Sequence, residues 1–296
     1  MKPIEKVVTK LVSICEEHEV LPWDCPYLRP ESIPPQNPVT GTTYSGGNSL
    51  YLGVMQWLNN YQTPFYTTYN GAKTLGGNVS KGEKGYPIIV ARTVTREDEK
   101  DPDHKIVSTY FGNATMFNLD QCEGIDMSQY LPDNQEPPQS VPKNVSELKQ
   151  FVESVNPMIV PGRTPAYSPH QDVIKMPRVE SFVSVEAYYQ TLFHEMVHWT
   201  GHETRLGREF GTMFGSEKYS KEELIAEIGA ATLSHYLIGD DNAALSQSAA
   251  YVKSWLSVLK KNPQWLFKSA TESETAVYYL IGRTKVIPAV TGSDDE

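Results

Sequence analysis

Two histidines one helical turn apart, with a glutamate directly after the first, constrain this chain more than any other feature. They are His194, Glu195 and His198, in the stretch YYQTLFHEMVHWTGHETRLGRE. Residues i and i+4 lie on the same face of a helix, so both imidazoles can reach one point in space. Glu195 lies about a third of a turn around the helix, beside that point. The spacing is typical of H-E-x-x-H helices, in which the histidines bind zinc and the glutamate is the catalytic base.

The alternative is a pair of hydrogen-bonded core histidines on a buried helix. The neighbours Leu192, Met196 and Val197 are apolar, and burial of two imidazoles and a carboxylate among them is costly without a partner. The sequence therefore favours a metal site. Ser184 is expected to cap this helix, and Gly201 marks its end.

A catalytic zinc needs a third protein ligand and an open position for water. His202 lies one further turn along the axis, about 6 Å from the level of His198, which is a poor geometry for a single ion. The metzincin pattern is excluded because Thr204 stands where its third histidine would be.

The segment YSKEELIAEIGAATLSHYLIG (219–239) offers better third ligands. Ser220 and Glu223 fit a capping box, which would give Glu223 a structural role at the start of a helix. Glu227 lies one turn further, among alanine, glycine and isoleucine, where a carboxylate needs a partner. Glu227 is therefore predicted as the third ligand, in the manner of gluzincins. Two alternatives stay open: Glu223 is the ligand, or Glu227 pairs with Arg205 or Arg208.

This ligand set predicts one Zn²⁺ per chain, held by His194, His198 and Glu227, although manganese and cobalt also suit such donors. A bound ion would lower the pKa of a water molecule towards 7, and Glu195 would accept its proton for attack on a carbonyl. Tyr219 and His202 are candidates for stabilising the developing oxyanion, or for packing and hydrogen bonding nearby.

Composition limits the other functions that this chain can have. It carries 26 Lys and Arg against 36 Asp and Glu, a net charge of −10, so any nucleic-acid contact must come from a local patch. No run of 18 apolar residues predicts a membrane span, and the N-terminus lacks the apolar core of a signal peptide. Three cysteines without metal-ligand spacing indicate reduced thiols and a cytoplasmic protein.

The stretch LPDNQEPPQSVPKN (131–144) is expected to be a linker, since it holds four prolines and almost no apolar residue. It divides the chain into a domain of residues 1–130 and a domain of residues 145–296. The first is predicted to mix helices and strands, with a charged loop over residues 96–105 between two strands. The second is predicted to be mainly helical with a small sheet, which makes the fold class α+β.

The chain resembles the ArdC-type antirestriction proteins of conjugative plasmids and other mobile elements. The resemblance in the second half lies in the metal helix and in EELIAEIGAA. In the first half it lies in PQNPVTGTTYSGGNSLYL, TYNGAKTLGGNVSKGEKG and MFNLDQCEGI. It implies an N-terminal domain that binds single-stranded DNA, followed by a zincin-like domain with His194 and His198 as ligands, Glu195 as base and Glu227 as the expected third ligand.

Residue chemistry supports the DNA interaction in part. Residues 1–130 hold 11 Lys and Arg against 15 Asp and Glu, but residues 67–96 hold five basic residues against one acidic residue. Aromatic residues surround this basic segment, as in sites that hold single strands by charge and stacking. The residues predicted to contact DNA are Tyr44, Asn48, Lys73, Lys81 and Lys84. The alternative is that the rings are core residues and SKGEKG is a solvated turn. YSGGNS could likewise approach phosphate or form a turn.

Three hypotheses follow. The leading one is an antirestriction-type zinc metallopeptidase that binds single-stranded DNA and cleaves proteins near it. In the second, the chain masks single-stranded DNA without catalysis, and the metal holds the fold together. In the third, the chain is a protein-interaction module that binds a protein partner and does not bind DNA.

Overall fold

The computed structural model describes residues 3–24, 34–98, 101–130, 145–211, 216–239 and 249–282. Within those ranges, side chains are described except at 3, 92–98, 101–110 and 249. The linker predicted over residues 131–144 lies outside the described residues. The division of the chain at that linker therefore stays a prediction.

The first part of the chain mixes helices with short and long strands. Its helices are α1 (Pro3–His18), α2 (Gly46–Leu58) and α3 (Tyr69–Thr74). Its strands are β1 (Tyr66–Thr67), β2 (Asn78–Val79), β3 (Tyr86–Asp98), β4 (Asp101–Asn118) and β5 (Cys122–Glu123). Strands β3 and β4 form an antiparallel hairpin, β1 pairs with β4, and β2 pairs with β5.

The prediction of a loop over residues 96–105 was wrong. Backbone pairing between β3 and β4 continues to Asp98 opposite Asp101. Sheet hydrogen bonds are made by the backbone, and a two-stranded ribbon can point charged side chains to solvent on both faces. Charge density therefore did not mark the end of the strands.

The second part of the chain is mainly helical with one small sheet. Its helices are α4 (Val145–Val155), α5 (Val185–Thr200), α6 (Glu217–Leu237), α7 (Ala249–Lys261) and α8 (Pro263–Leu280). Its strands are β6 (Ile159–Pro161), β7 (Ala166–Ser168) and β8 (Val173–Met176). Strand β8 lies in the centre, parallel to β6 and antiparallel to β7. The α+β class is confirmed.

Helix α5 begins and ends where its sequence predicts. The Oγ atom of Ser184 accepts a hydrogen bond from the backbone N–H of Ala187 at 3.1 Å, which caps the helix. Gly201 follows its last residue. Helix α6 crosses α5 closely at Gly229, where an added Cβ would lie 2.8 Å from a methyl carbon of Val197. This close approach brings the acidic residues of α6 to the histidines of α5.

One hydrophobic core is shared by the two parts of the chain. It joins buried residues of α1 and α2 with Leu224 and Ile228 of α6 and with residues of α7 and α8. Trp23 is a fully buried member of this core, and its ring is edge-on to that of Trp255 of α7 with centroids 5.8 Å apart. A second core lies between α4, α5, α6, the small sheet and the end of α8. The first part of the chain therefore packs directly against the helix that faces the histidines.

The glycines of YSGGNS serve this packing. The backbone N–H of Gly46 donates to the Glu274 carboxylate of α8 at 2.9 Å, at the start of α2. A Cβ on Gly46 would lie 2.2 Å from Thr271 Oγ1, and one on Gly47 would lie 2.3 Å from the Phe267 ring. The stretch thus allows two helices from different parts of the chain to touch. Within the described ranges, no helix is both long and apolar enough to cross a membrane.

Candidate metal centre

Helix α5 presents both imidazoles to one side, as the four-residue spacing predicts. The Nε2 atoms of His194 and His198 lie 3.2 Å apart. The Glu223 carboxylate of α6 faces both atoms: its Oε2 lies 3.6 Å from His194 Nε2, and its Oε1 lies 3.6 Å from His198 Nε2. One ligand atom from each of the three residues lies within 4.8 Å of the others. These three residues are called the metal cluster below.

Glu227 lies elsewhere than predicted. Its carboxylate is 3.9 Å from His194 Nδ1, the ring nitrogen that points away from the cluster. Glu223 therefore takes the place that the sequence analysis gave to Glu227, and Glu227 lies behind the histidine. Neither arginine that was considered as its partner pairs with it: Arg205 binds Asp172, and Arg208 binds Glu222.

The helix cap explains why the preference for Glu227 did not fit the geometry. Helix α6 begins at Glu217, and the Oγ atom of Ser216 accepts from the Tyr219 N–H at 3.3 Å. Ser220 is thus inside the helix, and the expected capping box with Glu223 does not form. Glu223 lies nearly two turns into the helix, on the face that meets α5.

The outward-facing Nδ1 atoms of both histidines have carboxylates beside them. His198 Nδ1 lies 3.2 Å from Glu222, an acidic residue that the sequence analysis did not single out. A hydrogen bond there fixes the proton on Nδ1 and leaves a lone pair on Nε2. Carboxylates that hold imidazoles in this way are typical of metal sites.

A divalent cation fits this donor set. If both rings carry their proton on Nδ1, two nitrogen lone pairs and a carboxylate converge without a donor between them. A cation resolves this repulsion, and two imidazoles with one carboxylate are a common zinc set. The side chains of His194 and Glu223 are 21% and 26% exposed, so one side of the cluster is open to water. An open position distinguishes catalytic from structural zinc sites.

Electrostatics agree with a site that attracts positive charge. Burial alone lowers the pKa of His194, but the carboxylates of Glu223, Glu227 and Glu195 raise it above its ordinary value. Burial raises the pKa of Glu223, but hydrogen bonding and charge from the two histidines bring it below its ordinary value. The carboxylate of Glu223 is therefore kept in its charged, ligating form.

Glu195 lies beside the cluster and points towards strand β7. It is 7% exposed, and the backbone of Tyr167 in β7 hydrogen-bonds to its carboxylate. Burial raises its pKa above the ordinary value, although the two histidines oppose this shift. A raised pKa makes a carboxylate a stronger base near neutral pH.

Two arginines after α5 hold this arrangement in place. The Arg208 guanidinium donates to both oxygens of Glu222, at 2.8 and 3.0 Å, and to the backbone oxygen of Val197 at 2.6 Å. It thereby orients the carboxylate that holds His198. Arg205 stacks on Trp199 at 3.8 Å and binds Asp172, which ties the end of α5 to the turn before β8.

The two suggested oxyanion residues have different surroundings. Tyr219 hydrogen-bonds to Glu223 at the edge of the cluster. His202 Nδ1 lies 2.9 Å from the hydroxyl of Thr204, in a local turn after the helix. Tyr219 is thus the one that lies beside a metal-cluster residue.

The residues predicted to contact DNA are spread over the first part of the chain. The Tyr44 hydroxyl donates to Met116 Sδ at 3.8 Å, and the Asn48 amide exchanges two hydrogen bonds with the Ile89 backbone. Both side chains are therefore engaged within the fold. Lys73 lies over the Tyr69 ring, with its Nζ atom 5.0 Å from the ring centroid.

The other two predicted lysines lie in the turn before β3. Lys81 and Lys84 are both exposed there. Lys84 also lines a pocket together with Lys10 of α1, a residue that the sequence analysis missed. No sequence motif marks this pair, because the two lysines are distant along the chain.

Paired helices that bring two histidines and a glutamate together, with a further glutamate beside them, define a zincin-like site. Residues 146–272 match the family of zincin-like metallopeptidases. Residues 1–129 match the family described as the N-terminal domain of anti-restriction factor ArdC. The resemblance noted from the sequence is confirmed: the chain belongs to the ArdC antirestriction family.

Solved structures and a curated relative agree with this assignment. The antirestriction ArdC protein from plasmid R388 has a metal-free and a Mn(II)-bound crystal structure, each with a TM-score of 0.70 to this chain. They are 32% and 33% identical to it and cover 95% of it, and 99% and 98% of their own chains are covered in return. DNA primase TraC of Escherichia coli is 32% identical over 298 residues, 95% of this chain. This chain spans only 20% of that primase. Fold, family and geometry together indicate a divalent metal site.

Proposed function

We propose that this chain is an antirestriction-type metallopeptidase that binds single-stranded DNA and uses one Zn²⁺ to hydrolyse peptide bonds. The observation that carries the proposal is the convergence of His194, His198 and Glu223 on one point, with Glu195 beside it. Glu223 replaces Glu227 in the proposed ligand set. Incoming DNA is met in the cytoplasm, so that is the compartment proposed for this activity.

Different residues of the chain would have different roles in hydrolysis. His194, His198 and Glu223 would hold the ion, which supplies the charge that acidifies a water molecule and polarises a carbonyl. Glu195 accepts the proton of that water on its carboxylate and later passes it to the leaving amine. Glu222 keeps the His198 ring in the orientation and tautomer that a ligand needs.

Strand β7 is the proposed binding site for an extended peptide. It is an outer strand of its sheet, since β8 is its one neighbour among the described strands. An outer strand can pair with a further chain through its backbone groups. Because Tyr167 of β7 hydrogen-bonds to Glu195, a peptide paired with this strand would lie close to the base.

The peptidase part is tested with a proteome-derived peptide library, analysed by mass spectrometry for new termini. The zinc-loaded chain is expected to produce them, and Glu195→Gln is expected to lower the rate by about a hundredfold or more while binding zinc with unchanged stoichiometry. Equal cleavage by both proteins would refute Glu195 as the base. If the wild-type chain produces no new termini, the peptidase proposal is refuted, and the alternative in which the chain only masks DNA is favoured.

The DNA-binding part rests on the match of residues 1–129 to the ArdC N-terminal domain and on the exposed lysines of the 80–84 turn. Fluorescence anisotropy with a labelled single strand is the measurement. We expect tight binding at low salt that weakens steeply as salt is added, because lysine–phosphate contacts release counterions. Undetectable binding at low salt would refute this part and favour a protein-interaction module.

A further inference from the structure

A concave pocket outside the metal centre lies between α1, the end of α2 and the start of β3. Its volume is about 420 Å³, within the range of small-molecule sites. Ile14, Met55 and Leu58 give it an apolar lining. Its polar lining includes Lys10, Glu17, His18, Tyr61, Glu83 and Lys84. It is called the α1–β3 pocket below.

Two lysines supply positive charge at one end of the pocket. Lys10 is partly buried, with its Nζ atom 5.1 Å from the centroid of the Tyr86 ring. In the part of the chain that the structure describes, neither Lys10 nor Lys84 has a carboxylate within 4.0 Å. Burial and the charge of Lys84 both lower the pKa of Lys10. Two ammonium groups that make no salt bridge within the described residues favour an anionic ligand.

An aromatic ring stands beside the lysines. The hydroxyls of Tyr61 and Tyr86 lie 2.8 Å apart, and their rings meet at 67° with centroids 6.3 Å apart. Tyr86 is only 7% exposed, whereas Tyr61 is half-buried and lines the pocket. The hydroxyl contact fixes the Tyr61 ring, and a fixed ring suits stacking of a flat base.

The remaining charged groups limit where an anion can bind. Glu83 accepts a hydrogen bond from the Gln121 amide at 2.7 Å, which holds its carboxylate towards Gln121 without removing its negative charge. Glu17 and His18 lie near the C-terminal end of α1, and His18 is about 12 Å from the level of Lys10 along the helix axis. A phosphate is therefore restricted to the lysine end. Glu17 leaves an acceptor at the other end for an amino group of a base.

We propose that the α1–β3 pocket binds one nucleotide of a DNA single strand, with its phosphate between Lys10 and Lys84 and its base against Tyr61 and the apolar lining. This inference rests on the proposed single-stranded DNA binding and adds the place and the residues. It assigns a role to Lys10 and Tyr61. Of the five residues predicted from sequence, it uses only Lys84.

The test is anisotropy of a labelled single strand of about 16 nucleotides on the full chain, across a range of salt. We expect Lys10→Ala/Lys84→Ala to weaken binding about tenfold or more and to reduce the slope of log K against log salt by about 1.4, for two lost phosphate contacts. Lys149→Ala/Lys268→Ala is the matched control. It removes the same charge from side chains that are each 71% exposed, and it is expected to change neither quantity.

Tyr61 is tested with two variants. Tyr61→Phe keeps the ring and loses only the hydroxyl contact that fixes it, so it is expected to weaken binding less than Tyr61→Ala, which is expected to weaken binding about tenfold. Thermal unfolding of each variant checks the fold. If Tyr61→Ala does not fold, the Lys10→Ala/Lys84→Ala variant still tests the proposal.

The outcomes separate this inference from the proposed function. Wild-type binding with an unchanged affinity and salt slope in the Lys10/Lys84 variant would overturn the pocket alone. No wild-type binding at low salt would overturn both. Deoxyadenosine monophosphate that binds as tightly as the strand would overturn the assignment to a strand and indicate a free nucleotide.

Discussion

The Nε2 atoms of His194 and His198 lie 3.2 Å apart, while the Nδ1 atom of His198 faces the Glu222 carboxylate. A proton shared between the Nε2 atoms can hold two neutral rings together, but it leaves the adjacent carboxylate of Glu223 without an ion. A divalent cation satisfies all three groups at once. We therefore expect substitution of the ligand Glu223 and substitution of the residues that hold the histidines in place to have different effects.

Glu223 and Glu227 are expected to differ in their effect on zinc affinity. Glu227→Ala removes a carboxylate behind His194 and is expected to weaken binding about 10- to 100-fold. Glu223→Ala removes a ligand and is expected to weaken it further. Calorimetric titration of the metal-free chain, with a competing chelator, measures both. The reverse order would restore Glu227 as the third ligand.

Arg208 is expected to stabilise the fold as well as the site. Its side chain and that of Glu222 are 7% and 6% exposed, so Arg208→Met leaves a buried carboxylate without its cation. Loss of one partner of a buried pair costs about 3–5 kcal/mol. Urea unfolding of the metal-free chain measures this.

A double variant provides the control for Arg208. Combined with Glu222→Gln, Arg208→Met is expected to cost less than the two single changes added together, because no uncompensated charge remains. Additive free energies of unfolding would show that the two residues do not interact.

Asp24 is expected to make the stability of the fold depend on pH. Burial is the main cause that raises its pKa from 3.8 to about 6. The folded chain therefore holds a proton that the unfolded chain has lost between those values, and the free energy of unfolding falls as pH rises through this window. The cost is fully present above about pH 6 and absent below about pH 4, and it amounts to about 3 kcal/mol.

Asp24→Asn tests this dependence. Its stability relative to the wild type is expected to increase between pH 4 and pH 6 and to stay constant above pH 7, as measured by urea unfolding across pH. The same difference at all pH values would show that the Asp24 pKa is not raised by folding.

Gly46 is expected to be needed for the contact between α2 and α8. Its φ is +54°, and an added Cβ would lie 2.2 Å from Thr271 Oγ1. Gly41 has a similar φ of +68° with nothing within 4 Å, so Gly41→Ala measures the backbone strain alone. Gly46→Ala is expected to cost about 1–3 kcal/mol more than Gly41→Ala, from overpacking. Equal losses of stability would show that the helices can move apart freely.

Local patterns predicted much of the fold. The cap at Ser184 and the end at Gly201 depend on near neighbours, and they predicted the observed bounds of α5. The shared core was not predicted, because the contact of Trp23 with Trp255 joins residues that are far apart in the chain.

The candidate site could likewise be predicted only where it depends on residues close together in the chain. The spacing of His194 and His198 specifies a shared face within one helix, but the third ligand depends on how α6 lies against α5. Helix α6 starts at Glu217, four residues earlier than a cap at Ser220 implied, and Glu223 therefore faces the histidines. Similarly, Asn48 is polar and suitable for DNA, but its amide is used by the backbone of Ile89.

The most direct test of the metal centre is an anomalous difference map from crystals grown with one equivalent of zinc. The account predicts a single peak about 2.0–2.2 Å from Nε2 of His194, Nε2 of His198 and an oxygen of Glu223, with Glu195 outside bonding distance. A peak elsewhere, or a peak bound by Glu227 in place of Glu223, would contradict it.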